Sequence, residues 1–160
     1  MYIGGGLANK MFQYAFSLAI KKKGYDVVYD TITFKTEFVH DRVELDDIFP
    51  NVNMNKISKS DYWAAGKQNK LARLVKRISP KYITEHAYLF NDRVWKQIKP
   101  TCYLESSWQD ENYFVSAADE VRQAFVFPPF ENKRNVEVAK AMASSNSVAI
   151  HIRKGDGYGT

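Results

Sequence analysis

The chain has 160 residues, 45% hydrophobic and 26% charged, ordinary proportions for a globular domain with a real core. They exclude intrinsic disorder and collagen, and the single Cys102 excludes a disulfide scaffold or a cysteine-rich zinc site. Basic residues outnumber acidic ones 23 to 18, a net charge of +5 that favours an anionic partner such as a nucleotide or an anionic membrane surface.

Met1 to Ile3 can form only a strand stub, followed by Gly4-Gly5-Gly6. Ala8, Met11, Phe12, Ala15, Phe16 and Ala19 then recur at spacings of three and four, which predicts an amphipathic helix. Lys21-Lys22-Lys23 suit its negative end and Gly24 closes it. The apolar stretch Ala15 to Ile20 is too short to cross a bilayer and lacks a cleavage site, so no signal peptide or anchor is expected. A cytoplasmic setting is the expectation. Tyr25 to Tyr29 reads as a buried strand ending at Asp30, so strand, glycine loop, helix and strand open an α/β unit.

From Thr31 to about Asp61 loops and short helices are expected around Leu45, Ile48 and Phe49. Between Lys67 and Lys81 six residues are basic and none acidic. Leu71, Leu74, Val75 and Ile78 share one helical face there, with Arg73, Lys76 and Arg77 elsewhere. A solvated basic face is the plain reading, and peripheral contact with anionic lipid the functional one. The aromatics do not gather around this run, so no nucleic-acid partner is expected. Tyr82 to Phe90 and Thr101 to Ser106 are strand candidates. Phe114 to Phe125 and Asn135 to Ala143 are helix candidates. Ser147 to Arg153 alternates as a strand, with Val148, Ile150 and Ile152 on one face and His151 and Arg153 on the other.

Two constellations carry chemistry. Gly4 to Asn9 opens a helix, where glycines let backbone approach a phosphate and the first amides favour negative charge. As a dinucleotide fingerprint it is incomplete, because Asn9 stands at the third glycine, although Asp30 ends the next strand where a ribose-binding acid would sit. At the other end, His151 and Arg153 share a face, and the Arg153 fork suits phosphate oxygens. Gly155 allows a turn that Asp156 can hold. Cys102 with His86 has only residue type in its favour as a nucleophile and base, and Cys102 reads as a small core residue. There is no Asp-x-Asp pair and no metal-ligand spacing, so no metal or other cofactor is expected.

Three segments in order carry a family resemblance. Gly5-Gly6-Leu7-Ala8-Asn9-Lys10-Met11-Phe12-Gln13-Tyr14-Ala15-Phe16 resembles the Gly-Gly-Leu-Gly-Asn-Gln-Met-Phe-Gln-Tyr-Ala-Phe opening of the α-1,2-fucosyltransferases of glycosyltransferase family 11. Ser107-Trp108-Gln109-Asp110-Glu111-Asn112-Tyr113-Phe114 is similar to their Tyr-Trp-Gln-Ser-Glu-Lys-Tyr-Phe, with Arg122 and Phe125 where Ile-Arg-x-x-Phe is usual. His151-Ile152-Arg153-Lys154-Gly155-Asp156 is similar to their His-x-Arg-Arg-Gly-Asp-Tyr. Ala8 replaces a glycine, Lys10 a glutamine and Lys154 an arginine, and Gly157 intervenes before Tyr158.

The resemblance implies an α/β, GT-B-like (Rossmann-type) fold: a first lobe over residues 1–145 and, at 146–160, the start of a donor-binding lobe whose remainder lies beyond this chain. It implies metal-independent, inverting transfer of L-fucose from GDP-fucose to the 2-hydroxyl of a terminal galactose, on a glycan or lipid-linked oligosaccharide. Arg153, His151 and Asn9 would be the catalytic set. Gly5, Gly6, Leu7, Asn9, His151, Arg153 and Asp156 would bind the donor. The enzyme would be cytoplasmic, held at the inner face of the membrane if the basic run binds lipid. The alternatives are a dinucleotide-binding Rossmann module and a non-catalytic fragment.

Overall fold

In the computed structural model, which describes residues 1–33, 43–60, 81–85 and 89–152, the first helix forms where the periodicity places it. Helix α1 spans Leu7–Lys22. Gly6 caps it in an extended conformation with no side-chain hydrogen bond, so nothing from the cap covers the first backbone amides. Its other end is a Schellman turn: Gly24 N–H donates to Lys21 C=O at 2.8 Å and Tyr25 N–H to Ile20 C=O at 3.4 Å. Gly24 has φ +89, a conformation that glycine adopts without penalty.

The buried stripe of α1 differs from the expected one. Ala15, Phe16 and Ala19 are buried, but Ala8 is exposed, Met11 and Phe12 are half-buried, and Lys10, Gln13 and Ser17 are buried. These three polar residues lie three and four positions apart, on one face. Their hydrogen bonds explain it. Lys10 Nζ reaches Val43 C=O at 2.7 Å, and Ser17 Oγ pairs with the Tyr29 hydroxyl at 2.7 Å. Burial pushes the Tyr29 phenol up to about 12, against the smaller lowering effect of Ser17, so the pair stays neutral.

Strands β1 (Tyr82–Thr84) and β2 (Tyr103–Glu105) pair in parallel, with Ile83 beside Leu104. Tyr2 N–H then donates to Leu104 C=O at 2.9 Å. Parallel bridges follow from Tyr2 to Asp30 and from Tyr29 to Lys56. The order across this layer is 82–84, 103–105, 1–3, 29–30 and 55–57. The chain advances in the same sense on either side of the junction between 103–105 and 1–3, so the first segment of the chain lies beside β2.

Among the described residues this part of the chain also holds short helices α2 (Leu45–Ile48) and α3 (Asp92–Gln97), two 3-10 turns at Glu111–Tyr113 and Val115–Ala117, and α4 (Ala118–Ala124). Within the Phe114–Phe125 span the expected helix forms as one tight turn, Val115–Ala117, feeding the shorter α4. α3 lacks a counterpart in the sequence reading; its start is set by Asn91, whose side chain accepts from Arg93 N–H at 3.1 Å. Phe16 anchors the core, with ring centroids 4.9 Å from Trp108, 5.0 Å from Trp95 and 5.1 Å from Tyr113. Cys102 is a free, half-buried thiol at the core's edge.

The chain divides into Met1–Phe127 and Pro128–Thr160. In the second unit α5 spans Lys133–Ala143, capped by the Asn132 side chain. The strand expected from Ser147 does not form over the described residues: 147–152 carry no strand pairing, and Val148, Ile150 and Ile152 are 85%, 82% and 77% exposed. An extended segment becomes a strand only when a neighbour supplies its ladder. Among the described residues no helix is long and apolar enough to cross a membrane.

Candidate functional site

In open parallel layers ligands collect beyond the carboxyl ends of the strands. Here the Gly4–Gly6 loop and the loop after β2 leave the carboxyl ends of two adjacent segments, 1–3 and 103–105. Gln13 ties the two together. Its Oε1 accepts from Gly4 N–H at 2.8 Å and its Nε2 donates to Ser106 C=O at 3.0 Å. One buried side chain of α1 thus satisfies backbone groups at both strand ends; losing such a partner costs about 1–3 kcal/mol per group left buried and unpaired. Both carboxyl ends therefore lie at the same edge, so 1–3 and 103–105 run the same way.

A second link lies further out. Gln109 Nε2 donates to Asn9 Oδ1 in a short hydrogen bond between residues 100 apart in sequence. Asn9 folds back over Gly5, whose φ is +85. A Cβ at Gly5 would lie 2.8 Å from Asn9 Nδ2 and 3.2 Å from Asn9 Cβ, so the missing side chain makes room for the carboxamide.

The loop after β2 is held along its length. Ser106 Oγ donates to Glu85 C=O in a short bond. Asp110 accepts from Phe90 N–H at 2.7 Å and Asn112 N–H at 2.9 Å. These two backbone bonds help hold its carboxyl below the usual carboxylate range. Between them Trp108 is 2% exposed with φ +54. A bulky residue in that region stores roughly 1–3 kcal/mol of strain and persists only where its surroundings dictate it. The surroundings are Phe16 and Tyr113, the latter at 5.4 Å. Its Nε1 is buried and has no acceptor among the described residues.

The expected donor-binding residues divide as follows. Gly5, Gly6, Leu7 and Asn9 stand together between the end of 1–3 and the first turn of α1. His151 is exposed in the second unit. Arg153 and Asp156 lie outside the described residues, as do His86 and the basic run up to residue 80. Asp30 is committed elsewhere: it is buried and accepts from Ile32 N–H (3.1 Å), Thr33 N–H (3.1 Å), Thr33 Oγ1 (2.8 Å) and the Tyr103 hydroxyl (2.7 Å). Burial, with the Asp30 charge behind it, raises the Tyr103 phenol far above its ordinary value, so it remains the donor. A carboxylate engaged in this way does not serve a ribose, which removes the main support for a dinucleotide site. Gln13 and Ser106 are not singled out as site residues by the sequence; the signal for Gln13 is its place in the Gly5–Phe16 segment that carries the resemblance.

No family model and no solved structure matches the chain. A curated protein does: the alpha-1,2-colitosyltransferase of Escherichia coli is 27% identical over 171 residues, covering 96% of this chain. The similarity is to a glycosyltransferase. The aligned region is 53% of that relative, so the chain spans about half the length of the curated transferase it matches. Both rim segments, Gly5–Phe16 and Ser107–Phe114, are those that resembled sugar transferases in the sequence.

Proposed function

We propose that this chain is the amino-terminal part of a GT-B-like, metal-independent α-1,2-fucosyltransferase, which moves L-fucose from GDP-fucose to the 2-hydroxyl of a terminal galactose. The observation that carries the reading is the meeting, through Gln13 and the Asn9–Gln109 pair, of two sequence segments about 100 residues apart, both of transferase type. Similarity to a transferase named for colitose supports a deoxy-sugar donor, since colitose is L-fucose without its 3-hydroxyl. In this reading His151 and Arg153 meet the donor diphosphate. Departure of GDP concentrates charge on the β-phosphate, and a fixed guanidinium there stabilises the transition state more than the ground state. Removal of such a group typically slows transfer by about 100- to 1,000-fold.

The test is calorimetric titration of the chain with GDP, beside Arg153→Ala and with NAD as a control. GDP binding by the wild type that disappears in Arg153→Ala supports the reading. NAD binding in place of GDP, or GDP binding that ignores Arg153→Ala, overturns it.

A further inference from the structure

The hydrogen bond between Asn9 and Gln109 uses only half of each carboxamide. Asn9 Oδ1 accepts from Gln109 Nε2, while Asn9 Nδ2 and Gln109 Oε1 have no partner among the described residues. Both side chains are half-buried, so solvent reaches them. Side by side they offer an N–H donor and a carbonyl acceptor, both uncharged. A phosphate oxygen, which only accepts, is matched by the first and opposed by the second. A sugar hydroxyl both donates and accepts, and is matched by both.

We propose that Gln109 is a positioning residue for Asn9 and that the two carboxamides form a neutral subsite for a sugar hydroxyl. The proposal rests on the sugar-transfer reading and deepens it, because it assigns the rim of the first unit to sugar rather than to diphosphate. Three independent features hold the pair in this arrangement. Gly5 leaves the space that Asn9 occupies. The left-handed backbone of buried Trp108 sets the course of the chain into Gln109. Ser106 and Asp110 pin the loop on either side. Without Gln109 the Asn9 carboxamide loses the partner that fixes which of its ends faces the ligand.

The probes are L-fucose, standing for the transferred sugar, and methyl β-galactoside, standing for the acceptor, each titrated into the chain by saturation-transfer NMR. Gln109→Leu is expected to weaken at least one of them roughly tenfold, about what one or two hydrogen bonds supply, with GDP affinity unchanged. The sugar that weakens identifies the source of the hydroxyl. Gln109→Glu supplies a readout that a merely structural role would not move. At pH 7 its carboxylate has no hydrogen to give Asn9 Oδ1 and sugar binding is weak; as the introduced carboxyl takes up a proton, below about pH 4.3, binding returns. Circular dichroism establishes that each variant is folded, and the pH profile stands as the test should Gln109→Leu not fold. Sugar affinities indifferent to both substitutions, loss of GDP binding alone, or no sugar bound by the folded wild-type chain would each overturn the proposal. GDP binding that ignores Arg153→Ala sinks the transferase reading instead, whatever the sugars show.

Discussion

Two stretches of this chain read as strands in the sequence and meet different fates. In 25–30, Val27 and Tyr29 are buried while Val28 is 45% exposed, and the backbone bridges to Tyr2 on one side and Lys56 on the other. In 147–152 the alternation is regular, yet Val148, Ile150 and Ile152 stay exposed and unladdered. The preceding helices differ likewise: α1 buries eight residues and α5 none. Alternation states which side chains can share a face; a sheet exists only where neighbouring backbone and a facing helix are present to use it.

The contrast can be broken from either side. The largest effect is expected at Trp108, whose ring sits in the aromatic cluster under the rim. Trp108→Ala should cost about 3–5 kcal/mol in urea unfolding, and a loss below about 1 kcal/mol would mean that the loop does not depend on that packing. Next come two glycines with nearly the same φ. Gly5→Ala and Gly24→Ala should each cost about 1–2 kcal/mol for left-handed backbone. Only Gly5→Ala also pushes Asn9 aside, because nothing lies within 4 Å of a Cβ at Gly24. Side-chain amide NMR signals of Asn9 and Gln109 should shift in the first variant and stay in place in the second. The smallest effect belongs to the second unit: Ile150→Ser should change stability by no more than about 0.5 kcal/mol. A larger loss would show that this segment is packed after all.

Much of the first unit was legible. The period of α1, its Gly24 stop and the strand positions near 29, 83 and 104 follow from local pattern, because each depends on neighbours close in sequence. The polar stripe of Lys10, Gln13 and Ser17 was not legible, since hydrophobic periodicity assigns such residues to solvent. Nor was α3, a short helix whose start rests on one Asn91 cap. The candidate site was half legible. Residue types and motif resemblance marked Asn9 and the segment containing Gln109, whereas Asp30, which the spacing offered to a ribose, proved to be held by Thr33 and Tyr103.

By itself, then, the sequence determined the helix that begins after three glycines, the positions of strands in the first unit and the residue types at its rim, since backbone preference and side-chain period act over a few residues. Tertiary structure alone decided that Gln13 would join two strand ends, that Asp30 would be consumed internally, and that Asn9 would find Gln109. Those outcomes depend on which strands become neighbours, and hydrogen bonds between residues 100 positions apart leave no trace in local pattern.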